Sequence, residues 1–165
     1  MNLSKYFVLQ RKLDATIVRE KHLSGRDLFS RKRLALITEI AETANEFPEI
    51  FKFWSNKKNQ YDKALVELVD IFHFLLSIGL DFKRIMGKRV EDIRYRPINA
   101  HSHLKIEDVF TEFIASAARL EPSNYVLFMN DFLALIETLG FSWEEFDAAY
   151  YEKLKINHER QAANY

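Results

Sequence analysis

Glu39-Ile40-Ala41-Glu42 and Glu67-Leu68-Val69-Asp70 each set two carboxylates three residues apart. On a helix, that spacing points both acids from one face. Either pair alone is an ordinary solvated helix face, but the neighbours of the second pair give it another meaning. Leu65, Val66, Leu68, Val69, Ile71, Phe72, Phe74, Leu75, Leu76 and Ile78 cover nearly the whole circumference of their helix. A helix apolar all round is a buried one, so Glu67 and Asp70 are expected among Val66, Phe74 and Ile78 with no free polar face. A buried carboxylate must find a partner or give up its charge. Two acids a turn apart call for a shared counter-charge, and an all-oxygen donor set favours Mg²⁺ or Mn²⁺ over Zn²⁺. On the first helix, Leu36, Ile37, Ile40, Ala41, Ala44 and Phe47 make an apolar arc, with Glu39, Glu42 and Glu46 on the other side. If the two acid faces meet, four carboxylates surround one or two cations. The competing arrangement is an ion pair between these acids and a lysine or arginine elsewhere.

The elements that must carry these acids are helices. The chain has 165 residues, 48% of them hydrophobic, with 24 basic and 24 acidic side chains, 4 glycines, 3 prolines and no cysteine. That length fits one domain over residues 1–165, able to bury roughly 70% of its unfolded surface. Without cysteine, thiol catalysis and Cys-based zinc sites are excluded. Gly25, Gly79, Gly87 and Gly140 lie too far apart to build a glycine-rich phosphate loop. Balanced charge argues against bulk binding to nucleic acid or an anionic membrane. The start MNLSKYFVLQRKL lacks the apolar stretch of a signal peptide, and the run 64–80 carries Glu67, Asp70 and His73. A cytoplasmic location is the expectation.

Periodicity predicts a bundle of five to six helices in an all-α fold. The first starts near Ser4, with Tyr6, Leu9, Leu13 and Ile17 on one stripe. The second spans about 31–46 with Ser30 as its N-cap, although Arg31, Lys32 and Arg33 oppose its dipole. Pro48 and Phe51 to Trp54 break the pattern, and 55–60 reads as loop. A third helix spans about 61–78, with Gly79 as its C-terminal cap. The basic stretch 82–105 reads as a connection with one short helix at most. Helical patterning resumes over 106–120, a further helix opens at Pro122 and Ser123 and closes at Gly140, and Ser142 with Glu145 caps a last one to about Ala163.

With the acids on these helices, the chain resembles the all-α nucleoside triphosphate pyrophosphohydrolases, and within them the dimeric dUTPases. Glu39, Glu42, Glu67 and Asp70 match the E-x-x-E and E-x-x-D pair that marks the superfamily. The likeness extends to Leu9-Gln10 with Leu13-Asp14, to ITEIAETANE followed by FKFWSNKK, and to ELVDIFHFLLSIGL. The tail Tyr150, Lys153, Asn157, Arg160, Gln161 and Tyr165 is similar to the closing signature of that family. Leu154 stands where the family usually has Asn, Asn164 where it has Gly, and Asp14 where an Asn often contacts the base.

The resemblance implies hydrolysis of dUTP to dUMP and pyrophosphate, with dUDP as a second substrate, keeping uracil out of DNA. It implies Mg²⁺, with Mn²⁺ able to substitute, on Glu39, Glu42, Glu67 and Asp70, and a homodimer. Glu42 is the expected base for the attacking water, with Glu39 as the alternative. Lys153, Asn157 and Arg160, four and three residues apart on one helix face, are expected to grip phosphate, with Lys57 assisting; the plain reading is a solvated basic helix end. Gln10, Asp14, Trp54 and His73 are the expected base and sugar contacts, against a core role for a buried histidine. Asn45 and Glu46 are expected to hold the metal ligands from behind. Phe51 and Phe53 read as core, Lys58 as a charged loop residue, and His101 and His103 as loop residues.

Three other functions stay open at this level. One is a related pyrophosphohydrolase for another nucleotide, such as dCTP, because Asp14 accepts hydrogen bonds but does not donate them. Another is a dinuclear iron carboxylate protein using Asp70 and His73, although such bundles supply two E-x-x-H motifs and no second is present. The last is a non-catalytic helical module that associates through Phe51 to Trp54.

Overall fold

A computed structural model describes residues 1–98 and 103–163. Among the described residues, six long helices and one single-turn helix pack in an all-α arrangement: α1 (Ser4–Glu20), α2 (Phe29–Asn45), α3 (Pro48–Phe51), α4 (Tyr61–Phe82), α5 (Ile106–Ala118), α6 (Tyr125–Thr138) and α7 (Trp143–Ala162). The predicted all-α bundle is therefore what forms.

Helix α4 is the axle, in contact with α1, α2, α6 and α7. Its apolar residues Leu68, Val69, Ile71, Phe72, Leu75, Leu76 and Ile78 are buried because neighbours approach from most sides. Phe72 sits edge-on to Tyr6 at 5.3 Å and to Phe146 at 5.4 Å, and stacks on Phe132 at 5.9 Å. The enclosure is incomplete, however. Val66 is 41% exposed and Phe74 half-buried, so the expectation that Glu67 and Asp70 lack any free polar face fails. Glu67 and Asp70 are themselves half-buried beside Val66. Ala41, expected in the apolar arc of α2, is exposed.

Two helix boundaries differ from the sequence reading. Helix α2 starts at Phe29, ahead of Ser30, and Asp27 Oδ1 accepts a hydrogen bond from the Phe29 amide at 3.0 Å. Helix α4 runs past Gly79 to Phe82. Gly79 is needed for close approach and not as a cap: a Cβ there would lie 2.7 Å from Tyr125 Cζ. The Tyr125 hydroxyl donates to Leu75 O at 2.8 Å, which pins α6 against that bare patch of α4.

The basic stretch after α4 holds a small hairpin that periodicity does not reveal. Strand β1 (Arg84–Ile85) pairs antiparallel with β2 (Lys88–Arg89), and Met86 and Gly87 make the turn with φ of 50° and 75°. Positive φ at both central residues is the turn geometry that matches strand twist. A short 3₁₀ turn follows at Val90–Asp92. At the other end of the chain, Ser142 forms the expected capping box with Glu145. Its Oγ accepts from the Glu145 amide at 3.2 Å, and Glu145 Oε2 accepts from the Ser142 amide at 2.8 Å. His101, Asn164 and Tyr165 lie outside the described residues, while His103 is exposed in a turn.

Candidate active site

Packing of α2 along α4 brings the two acidic motifs together. Oxygen atoms of Glu39, Glu67 and Asp70 all lie within 4.8 Å of one another. Three carboxylates this close disfavour each other's ionised form. Burial, reinforced by Asp70, Glu42 and Glu67, pushes the Glu39 carboxyl up to about 7. Burial, then Asp70 and Glu42, raises Glu67; burial raises Asp70 against the opposing hydrogen bond and charge of Lys153. Glu42 is exposed; its charge acts on all three, but its oxygens stand apart from the set.

Helix α7 supplies the opposing charge. Lys153 Nζ donates to Asp70 Oδ2, which realises part of the competing ion-pair arrangement. One lysine against three acids leaves negative charge uncompensated, and Arg160 adds a more distant positive field at Asp70. Oxygen-only donors with surplus negative charge fit a divalent cation of the Mg²⁺ or Mn²⁺ type. No histidine joins the set among the described residues, which removes the geometric support for a carboxylate–histidine iron centre.

Glu39 and Asp70 stand on the wall of a cleft of about 510 Å³ between α1, α2, α4 and α7. Asn157 and Arg160 of α7 also line it, so they share one cavity with Glu39 and Asp70. Farther along the cleft lie Gln10, Asp14, His73, Phe74 and Ser77. These polar groups are linked. Gln10 Nε2 donates to Asp14 Oδ1 at 2.7 Å, Ser77 Oγ donates to Asp14 Oδ2 at 2.6 Å, and His73 Nδ1 lies 2.7 Å from Gln10 Oε1. Lys32 Nζ sits 3.9 Å from Asp14 and 2.7 Å from Asp81. Burial raises the Asp14 carboxyl, opposed by the Ser77 and Gln10 bonds and by Lys32. His73 is 6% exposed, and its ring stacks on Tyr150 at 4.8 Å. Burial, with the positive field of Lys153, holds the imidazole down to about 3, so it is neutral.

Of the residues singled out from sequence, the chain brings Gln10, Asp14, Glu39, Glu67, Asp70, His73, Lys153, Asn157 and Arg160 to this cleft or its acidic end. It does not bring Trp54 or Lys57 there. Trp54 is 67% exposed and meets Phe51 and Phe53, which is itself 94% exposed and not core. Lys57 lines a separate polar cleft with Asn45, Glu46, Lys52 and Lys58. Asn45 Oδ1 accepts from Lys52 Nζ at 2.6 Å on that second cleft, whereas the Glu46 charge reaches Glu67. Sequence reasoning missed Ser77, Phe74 and Lys32. Ser77 was within reach, since it lies one turn beyond His73 on the face that carries Asp70.

A family model described as dUTPase matches residues 2–165. No curated protein matches the chain.

Proposed function

The chain belongs to the dUTPase family and hydrolyses dUTP to dUMP; from that premise we propose that the cleft between α1, α2, α4 and α7 is where it does so. The observation that carries this reading is the convergence of Glu39, Glu67 and Asp70 within 4.8 Å, at one end of a cavity that also holds Asn157 and Arg160. Glu39, Glu67 and Asp70 would hold Mg²⁺, with Mn²⁺ able to substitute. Once bound, the cation supplies a Lewis acid and a template for the phosphate oxygens.

The remaining roles fall to side chains. Glu42 lies one turn beyond Glu39, outside the triad, which leaves its carboxylate available to orient the attacking water and take its proton. Lys153 neutralises Asp70 in the free protein, and it lies on the helix face of Asn157 and Arg160, whose donors suit phosphate oxygens. Because those donors grip phosphate and not the γ position in particular, dUDP is a second substrate in this reading. Gln10, Asp14 and His73 receive the base at the far end, beside Phe74. Glu46 supports the acid cluster electrostatically. The exposed Phe51, Phe53, Trp54 and Lys57 belong to a surface that a second copy of the chain would cover, in keeping with a homodimer. Among the described residues no single helix is long and apolar enough to cross a membrane; a substrate drawn from the nucleotide pool favours a cytoplasmic site of action.

Pyrophosphate release from dUTP, dCTP and dTTP, with Mg²⁺ or with a chelator, tests the reading. The expected result is release from dUTP that stops on chelation. Turnover that persists with the chelator refutes the metal assignment, and preference for dCTP refutes the base assignment.

A pH series gives an independent check. Glu39 has a folded-state pKa of about 7 against an ordinary value of 4.5. The stability that its proton provides is complete below 4.5 and is lost as the pH rises through about 7. His73, held down to about 3 from 6.5, acts in the opposite direction over its own range. The useful quantity is therefore the rise in Tm on adding Mg²⁺, which leaves His73 unchanged. That rise should grow between about pH 6 and pH 8 as the triad sheds its proton. A flat profile would contradict cation binding by these acids.

A further inference from the structure

We propose that the cleft between the α1–α2 loop, the end of α4 and the basic hairpin is a second binding site, which takes the oligophosphate chain of a small molecule on Arg26, Lys83 and Arg84. It lies outside the acid cluster and does not rest on the uracil reading of the first cleft.

This second cavity, of about 770 Å³, adjoins the first and is the larger of the two. Val18, Leu23 and Leu28 line both, as do Asp14 and Lys32, so the two clefts share a wall. Six cations and four acids line the second cleft. The acids are already engaged. Glu91 accepts from Arg11 Nη2 at 2.7 Å, with Arg89 3.5 Å away. Asp81 lies 2.7 Å from Lys32 Nζ, which also stands 3.9 Å from Asp14. Asp27 Oδ1 accepts from the Phe29 amide at the start of α2.

The remaining cations have no such partners. Among the described residues no carboxylate stands within ion-pair distance of Arg26, Lys83 or Arg84, and Arg84 donates to the Gly87 carbonyl instead. These three come from two separate segments and meet at one cavity, which leaves it with a surplus of positive charge. The backbone at Lys83 is unusual as well. It has φ 52° and ψ −55°, a region that a side chain disfavours, and it joins α4 to the hairpin. Surrounding contacts hold it there: the Val90 amide donates to Lys83 O at 3.4 Å, and β1 pairs with β2. Strain kept by the fold gathers where a side chain has a task. A guanidinium fork and an ammonium suit phosphate oxygens, and several uncompensated cations match a multiply charged anion better than a single carboxylate. Val18, Leu23 and Leu28 offer an apolar wall for whatever the phosphates are attached to.

The test is titration of inorganic tripolyphosphate, and separately of ATP, into the full chain without divalent cation. Under that condition the carboxylates of Glu39, Glu67 and Asp70 repel anions from the first cleft. Amide ¹H–¹⁵N spectra should place the shifts on residues 25–28 and 83–91. Calorimetry should show affinity falling at least about tenfold in Arg26→Gln with Lys83→Gln, since charged hydrogen-bond partners are removed. Arg84→Gln should weaken binding independently, and dUTP turnover with Mg²⁺ should stay near the parent value in both variants. Tighter binding of ATP than of tripolyphosphate identifies a nucleotide as the source of the phosphates; equal binding identifies the free chain. The proposal is overturned if neither anion binds, if the shifts gather on Lys153 to Arg160, or if both variants bind as the parent does. No dUTP enters the binding measurement, so a failure of the first cleft's assignment and a failure here are read separately.

Discussion

Asp70→Asn is expected to lower pyrophosphate release from dUTP on the order of 1,000-fold while leaving the helical fold intact. The carboxylate oxygens of Glu39, Glu67 and Asp70 lie within 4.8 Å of one another, and an amide in place of one keeps volume but removes charge and one anionic ligand. Mg²⁺ affinity by titration calorimetry should fall with turnover, because the same ligand serves both. The fold tolerates the change because burial already disfavours the Asp70 charge, and Lys153, which donates to Asp70 Oδ2, can still donate to the amide oxygen. Circular dichroism checks that the helices survive. Turnover within tenfold of the parent would remove Asp70 from the metal site, and with it the proposed geometry of the acidic end.

Gly79→Ala is expected to cost about 3 kcal/mol of stability, at the upper end of overpacking penalties, and roughly 10 °C in Tm. The new methyl group would lie 2.7 Å from Tyr125 Cζ and 3.1 Å from Phe7 Cε1. Neither ring has room to retreat, since Tyr125 and Phe7 are both fully buried. Gly79 lies nine residues beyond Asp70, about half a turn round α4, so the strain falls on the face opposite the acids. Folded Gly79→Ala protein should therefore turn over dUTP near the parent rate. An unfolding free energy from denaturant titration that falls by less than about 1 kcal/mol would show that α6 can move aside freely.

The two expectations also mark what the sequence can and cannot convey. The acids of α4 were legible from their three-residue spacing, and α2 meets α4 so that Glu39 joins them, although the enclosure inferred from the apolar residues around Glu67 and Asp70 is incomplete. Gly79 shows the limit. A glycine after an apolar helical run signals a C-terminal cap, but here the missing side chain answers to Tyr125, forty-six residues away, and only packing reveals that. Strands of two residues, such as Arg84–Ile85, are too short for any alternation to register. The linkage of Asp14, Gln10, His73 and Ser77 was half legible: each pair on one helix has the right spacing, while the meeting of α1 with α4 depends on the whole core. Trp54 and Lys57 mark the other limit, because one chain does not place them at its own cleft.

The contrast between the two tryptophans has a spectroscopic consequence. Trp54 projects into solvent at 67% exposure, whereas Trp143 is packed edge-on to Tyr6 at 5.8 Å and tilted on Phe146 at 5.2 Å. Intrinsic fluorescence of this chain therefore carries two separable reporters, a longer-wavelength one on the aromatic surface and a shorter-wavelength one half-buried against the helical core. Association of two copies through the Phe51 to Trp54 surface would move the first without disturbing the second, and loss of the core would move the second. The protein is thus equipped with optical probes of assembly and of folding that need no label.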